Sequence, residues 1–314
     1  MESTGSAFLN RPIQINCLMK YLFCALVLFS SVITGNAQKL PVTNVYCIYL
    51  NQPATTTIWQ ASKIELLNSY NNRAYNNQPY FINANEVLIT SQGNGEDNTD
   101  IYSLDLQIHQ LRRLVDNDGK DYSPRLSPDH SGDITCVHIN KNDSIQNLCL
   151  FSGSDGSFKK YIFQGVGQIG YYRHFRKDLW VCFLVDQPSN LLSFINAKTM
   201  EKKIFASSIG RTFEVLSQNE ILFVHKILPD QWILKSYDYS SQKMTSWAVM
   251  PPGSEDFALM QNGNVICASG SKLLLLDKDT STWKELMDLA SLGIHHMQRI
   301  AIEGQKVLVV DEPK

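Results

Sequence analysis

Short apolar runs separated by turn residues organise this chain. Between Tyr75 and Leu114, Tyr80-Phe81 and Val87-Leu88-Ile89-Thr90 come first, then a Gly-, Asn- and Asp-rich loop from Gly93 to Asn98, then Ile101-Tyr102-Ser103-Leu104. Asp105 ends that run, and Leu111 to Leu114 form a fourth. Runs this short, punctuated this often, predict β-strands and not helices. Four strands joined by tight turns make one propeller blade when the pattern recurs at intervals of about 40 to 50 residues.

It does recur. Tyr122-Ser123-Pro124 stands 45 residues after Asn77-Gln78-Pro79, and the runs Ile134–Ile139, Asn147–Phe151 and Phe158–Phe163 complete a second unit. A third unit holds Tyr171–Phe175, Leu179–Val185, Leu191–Ile195 and Lys203–Phe205. The fourth holds Thr212–Leu216, Ile221–His225, Trp232–Tyr237 and Met244–Val249, and the fifth Asp256–Leu259, Val265–Ala268, Lys272–Leu276 and Trp283–Leu286. Asp105, Ser152, Asn196, Asp238 and Asp277 form one column at spacings of 47, 44, 42 and 39, where a side chain accepting from nearby amides starts a turn. Half a unit remains at the C-terminus, Met297–Ile302 and Lys306–Val310. Its complement lies at the other end, Val45–Leu50 and Ile64–Leu67. Open sheet edges are unfavourable, so the two halves are expected to pair. The predicted fold is therefore an all-β, six-bladed β-propeller of four-stranded blades, with blades near 70–116, 122–163, 167–205, 211–249, 255–288 and 293–314 plus 44–67.

The N-terminus has a different pattern. Met19-Lys20 opens an apolar run from Tyr21 to Ile33, and Gly35-Asn36-Ala37 supplies small residues for cleavage, so 1–37 reads as a secretory leader and 38–314 as the propeller. The run is shorter than the ~20 residues of a membrane span, so no stable span is expected after cleavage. Met1 and Met19 both remain open as the start. Losing the leader leaves 26 basic and 29 acidic residues, which gives no field for nucleic acid. Five cysteines remain, an odd number, all within apolar runs. Buried free thiols are expected, with a Cys136–Cys149 bridge across a hairpin as the alternative.

DNTDIYSLDL (Asp97 to Leu106), YSPRLSPD (Tyr122 to Asp129) and NNQPYF (Asn76 to Phe81) resemble the repeats of the TolB-like six-bladed propellers with WD-like repeats, a family of extracytoplasmic proteins. The resemblance covers residues 44 to 314 and is strongest in the first two units. It implies an exported protein, periplasmic or extracellular. The family's namesake carries an N-terminal α/β domain for which this sequence leaves no room, so a translocation role is not expected.

No Gly-x-Ser-x-Gly elbow, His-Glu-x-x-His pair or phosphate-cradling Gly-Lys-Ser/Thr loop occurs. Asp116-Asn117-Asp118-Gly119 begins like a calcium loop, but Lys120 and Ser127 stand where ligands are wanted. His295 and His296 are adjacent and would point to opposite faces of a strand. Neither a metal nor a cofactor is therefore expected. The connections leading from one blade to the next inner strand gather Arg73, Tyr75, Gln78, Tyr122, Arg125, Tyr171, Tyr172, Arg173, Arg211, Glu214, Asp256, His295 and His296. Such groups offer stacking faces and hydrogen bonds to a peptide or sugar. They predict a non-catalytic binding or scaffold module for a protein or glycan of the cell envelope. A carbohydrate lyase or hydrolase acting at the channel mouth is the alternative.

Overall fold

The computed structural model describes residues 39–51, 59–93 and 96–313; the leader expected at 1–37 lies outside them. Six four-stranded antiparallel sheets form a β-propeller. The first blade is β3 (Asn76–Asn83), β4 (Glu86–Gln92), β5 (Thr99–Asp105) and β6 (Leu111–Val115), and the second is β7 (Lys120–Leu126), β8 (Ile134–Ile139), β9 (Asn147–Phe151) and β10 (Phe158–Phe163). β11 (Gln168–Arg176), β12 (Leu179–Val185), β13 (Leu191–Asn196) and β14 (Lys202–Ser207) make the third. The fourth contains β15 (Ile209–Ser217), β16 (Glu220–Leu228), β17 (Gln231–Asp238) and β18 (Met244–Val249). The fifth contains β19 (Phe257–Leu259), β20 (Val265–Ser269), β21 (Lys272–Asp277) and β22 (Thr282–Asp288).

The last blade joins both ends of the chain, as expected. Its order is β2 (Gln60–Leu66), β1 (Asn44–Asn51), β24 (Lys306–Asp311), β23 (Met297–Glu303). β1 and β24 pair in register from Asn44 opposite Asp311 to Tyr49 opposite Lys306. Every ladder bond of that closure spans most of the sequence, so the ring shuts only when the two ends meet.

The middle strands read as continuous apolar runs because both of their faces are covered. In β16, Ile221 and Phe223 pack toward the third blade, while Leu222 and Val224 pack toward the fifth. In β24, Val307 and Val309 join the fifth blade, whereas Leu308 and Val310 join the first. Alternation thus assigns successive residues to successive interfaces, and six apolar clusters result, one between each neighbouring pair of blades. The outermost strands carry exposed lysines, as in Lys202-Lys203 of β14, which discourages pairing with another sheet.

The turn column does what its side chains predict. Oδ1 of Asp105 accepts from the amides of Gln107 and Ile108, that of Asn196 from Lys198 and Thr199, and that of Asp277 from Asp279 and Thr280, all within 3.3 Å. Four residues beyond each column member the backbone turns left-handed. Gly156 takes this role in the second blade, but His109, Met200, Gln242 and Ser281 take it elsewhere at φ of 53 to 59°. The five cysteines among the described residues are free. Cys136 and Cys149 face each other across β8 and β9 without bonding, and burial pushes the Cys149 thiol up to about 12, leaving it unreactive. Among the described residues no helix is long and apolar enough to cross a membrane.

Candidate functional site

The innermost strands β3, β7, β11, β15, β19 and β23 surround a central channel. Its upper end is the one where each outer strand hands over to the next inner strand. The expectation placed the candidate residues on these connecting segments. The structure instead puts Gln78, Tyr122, Arg125, Tyr171, Tyr172, Arg173, Arg211 and Glu214 within the innermost strands themselves. Asp256 lies one residue before β19. An inner strand has one face toward a channel, so polar residues extend well along it and an apolar count underestimates its length. β3 begins at Asn76, four residues before the Tyr80-Phe81 run.

Bulges aim these side chains. Pairing slips by one residue between Tyr122 and Arg125, between Ile169 and Tyr171, and between Met297 and Arg299. In each case the first residue paired after the slip, Arg125, Tyr171 or Arg299, faces the channel cavity. In β3 and β7 the slip coincides with left-handed backbone at Gln78 (φ 53°) and Ser123 (φ 55°), each followed by proline. This conformation is costly for a residue other than glycine and tends to mark a functional site. Here a neighbour supports it: the Gln78 side-chain carbonyl accepts from the Ser123 amide at 2.8 Å.

Two levels of charge follow. In the upper level Asp256, 5% exposed, accepts from Arg211 Nε at 3.1 Å, Arg299 Nη1 at 3.2 Å and the Thr212 hydroxyl at 2.8 Å, with Arg211 Nη2 on its second oxygen. Arg211 Nη2 also donates to the Gln298 carbonyl at 2.7 Å. Arg299 reaches across the channel from the sixth blade to the third, donating to the Tyr171 hydroxyl at 2.5 Å with its guanidinium 4.8 Å from that ring. In the lower level Arg173 makes a two-pronged pair with Glu214, 2.9 Å from Nε and 2.5 Å from Nη2. Arg125 stacks 4.9 Å from the Tyr80 ring and has no hydrogen-bond acceptor among the described residues.

Burial alone would raise both carboxylates, but the guanidinium groups win and hold Glu214 and Asp256 below their ordinary range. Arg125 moves the other way. Desolvation, then the like charge of Arg173, push it down to about 10, still protonated at neutral pH. The cavity holding these groups has a volume of about 290 Å3. Phe81, Leu259, Ile300 and Ile302 line its lower part, with the Glu303 carboxylate beyond them.

Not every candidate reaches this channel. Tyr172 is 1% exposed and points between blades, donating to the Ser123 carbonyl and lying 2.9 Å from the Thr135 hydroxyl. Arg73 is exposed on the turn before β3. His295 and His296 precede β23, where their backbone amides donate to Asp311, and their rings take no part in the channel network. Tyr75 and Tyr122 stack edge-on 6.4 Å apart and line the upper mouth, which Leu40 also lines. Arg299 escaped the sequence reading. Its signal is its place immediately after a bulge, which exists only in the pairing register. Among the described residues no cluster of three or more His, Cys, Asp or Glu could hold a metal ion.

No family profile matches this chain, and no curated protein does. Among solved structures, one described as TolB from Agrobacterium tumefaciens superimposes with a TM-score of 0.61 at 10% identity, covering 86% of this chain and 98% of that one. TolB from Acinetobacter baumannii gives 0.55 at 12% identity, covering 85% of this chain and 63% of that one. A chain of a nidogen/laminin complex gives 0.56 at 10% identity, covering 82% and 97%. At these identities the likeness is one of fold.

Proposed function

We propose that this protein is an exported, non-catalytic β-propeller module that binds a protein or glycan ligand of the cell envelope through its central channel. The observation that carries this reading is the state of the two carboxylates at the heart of the arginine network, Glu214 and Asp256. Glu214 and Asp256 are each clamped by guanidinium groups and held ionised. A carboxylate in that state cannot serve as a general acid at neutral pH, and its lone pairs are already engaged against service as a base or nucleophile. Rigid donors in a preformed concave site instead suit recognition. Export rests on the leader pattern at 19–37 and on the family resemblance of the repeats.

The test pairs capture with turnover. Tagged mature protein is passed over solubilised envelope extract and a glycan array, beside the Tyr122→Ala variant, whose ring lines the upper mouth. One reproducible partner or glycan, lost with Tyr122→Ala while the fold is kept, is the expected result. Chemical conversion of a captured saccharide or peptide by the wild-type protein would overturn the reading in favour of an enzyme.

A further inference from the structure

We propose that the lower channel is a subsite for a carboxylate on a short aliphatic stem, gripped by Arg125. This rests on the reading of the channel as the ligand site and names the chemistry it takes.

The upper pair of guanidinium groups meets Asp256 and, 3.5 Å from Arg211, Glu255, whereas the lower pair has Glu214 alone, and the levels differ in what remains open. Above, the Asp256 oxygens, the Gln298 carbonyl and the Tyr171 hydroxyl engage Arg211 and both terminal nitrogens of Arg299, leaving only the buried Arg299 Nε without a partner. Below, Glu214 spends both oxygens on Arg173, so Arg125 is left as a guanidinium without an acceptor among the described residues. Its guanidinium lies 4.9 Å from the Tyr80 ring and lines the cavity. A half-buried cation on a narrow cavity with no carboxylate of its own is only partly compensated. A planar anion that meets its fork completes that compensation and adds two parallel charge-assisted hydrogen bonds. Arg125, Arg173 and Glu214 together carry one unit of positive charge in excess, which suits a monoanion, and Phe81, Leu259, Ile300 and Ile302, with Glu303 beyond them, line the cavity where methylene groups would lie.

Butyrate is the probe, titrated calorimetrically into the mature protein at low ionic strength beside neutral butyramide and inorganic phosphate. Saturable butyrate binding, absent with butyramide and weaker with phosphate, is expected. Arg125→Met should weaken butyrate roughly 10- to 100-fold, the loss of a charge-assisted pair. Arg125→Lys, which keeps the charge but not the fork, should lie between. Glu214→Gln, which frees Arg173, should tighten binding. Equal affinity of wild type and Arg125→Met for butyrate overturns the inference, as does equal binding of butyramide or stronger binding of phosphate. A partner lost with Tyr122→Ala but retained by Arg125→Met would overturn this subsite and leave the channel reading standing. Absence of any Tyr122-dependent partner, with butyrate binding intact, would do the reverse.

Discussion

Two buried polar clusters in this molecule use the same residue types toward different ends. In the channel, four arginines meet Glu214, Asp256 and Glu255, and the first two are held ionised. Between the first and second blades, Asp100 and Asp121 are both fully buried with Arg113 and His138 beside them. There Arg113 Nη2 lies 2.5 Å from Asp100, whose other oxygen has no partner. Burial outweighs Arg113, and Asp100 is pushed up to about 6. His138 places Nδ1 2.8 Å from Asp121 and Nε2 3.1 Å from Asn140. Although desolvation opposes it, Asp121 raises this histidine above its ordinary value. The difference lies in the balance of charge against burial. Surplus cation leaves the channel with a donor for a ligand, whereas surplus acid makes the interblade cluster a proton-dependent staple.

The largest effect should come from Asp256→Ala. It strips the shared acceptor from Arg211, Arg299 and Thr212 and leaves Arg299 without a carboxylate and Arg211 with Glu255 alone, a loss of about 3 kcal/mol in urea unfolding. A change below about 1 kcal/mol would mean that water already compensates these charges.

Next in size is the response to pH, where the clusters should diverge in sign. Asp100 binds its proton more tightly folded than unfolded, so its contribution falls as pH rises from about 4 through about 6. The charged His138–Asp121 pair contributes fully below pH ~6.5, and that contribution is lost as pH climbs through the raised histidine value. Glu214 and Asp256, held low, act oppositely: their contribution is present above pH ~4 and lost as acid protonates them. Between pH 5 and 8 the interblade cluster should lower stability by roughly 1–2 kcal/mol, opposed in part by His225, whose value burial holds below the ordinary one. Asp100→Asn should flatten the lower part of that slope and His138→Asn the upper. Urea midpoints that rise across this range would refute the assignment.

The smallest effect is expected from Arg125→Met, which should leave stability unchanged or raise it by about 0.5–1 kcal/mol, because the lost cation has no protein partner. A clear loss in thermal unfolding would show that Arg125 is held by the fold and not kept for a ligand.

Much of this architecture was legible before any coordinates. The Asp105-to-Asp277 column gave the blade count, and the half-units at Val45 and Lys306 gave the closure, because strand pairing and turn chemistry are local or periodic. The channel was legible only in part. Arg125, Arg173, Arg211, Glu214 and Asp256 were marked by type and position, but Tyr172 was grouped with its neighbours although alternation turns it into the core. His295 and His296 attracted notice by their chemistry, while Arg299, four residues on, holds the site together.

The sequence by itself determined six wedges and their junction, since hydrophobic period and turn residues act over a few neighbours and repeat. Only the tertiary structure decided which arginine lacks an acid. Partners here come from different blades, 41 to 128 residues apart, and a single-residue bulge decides whether a side chain enters the channel or the core.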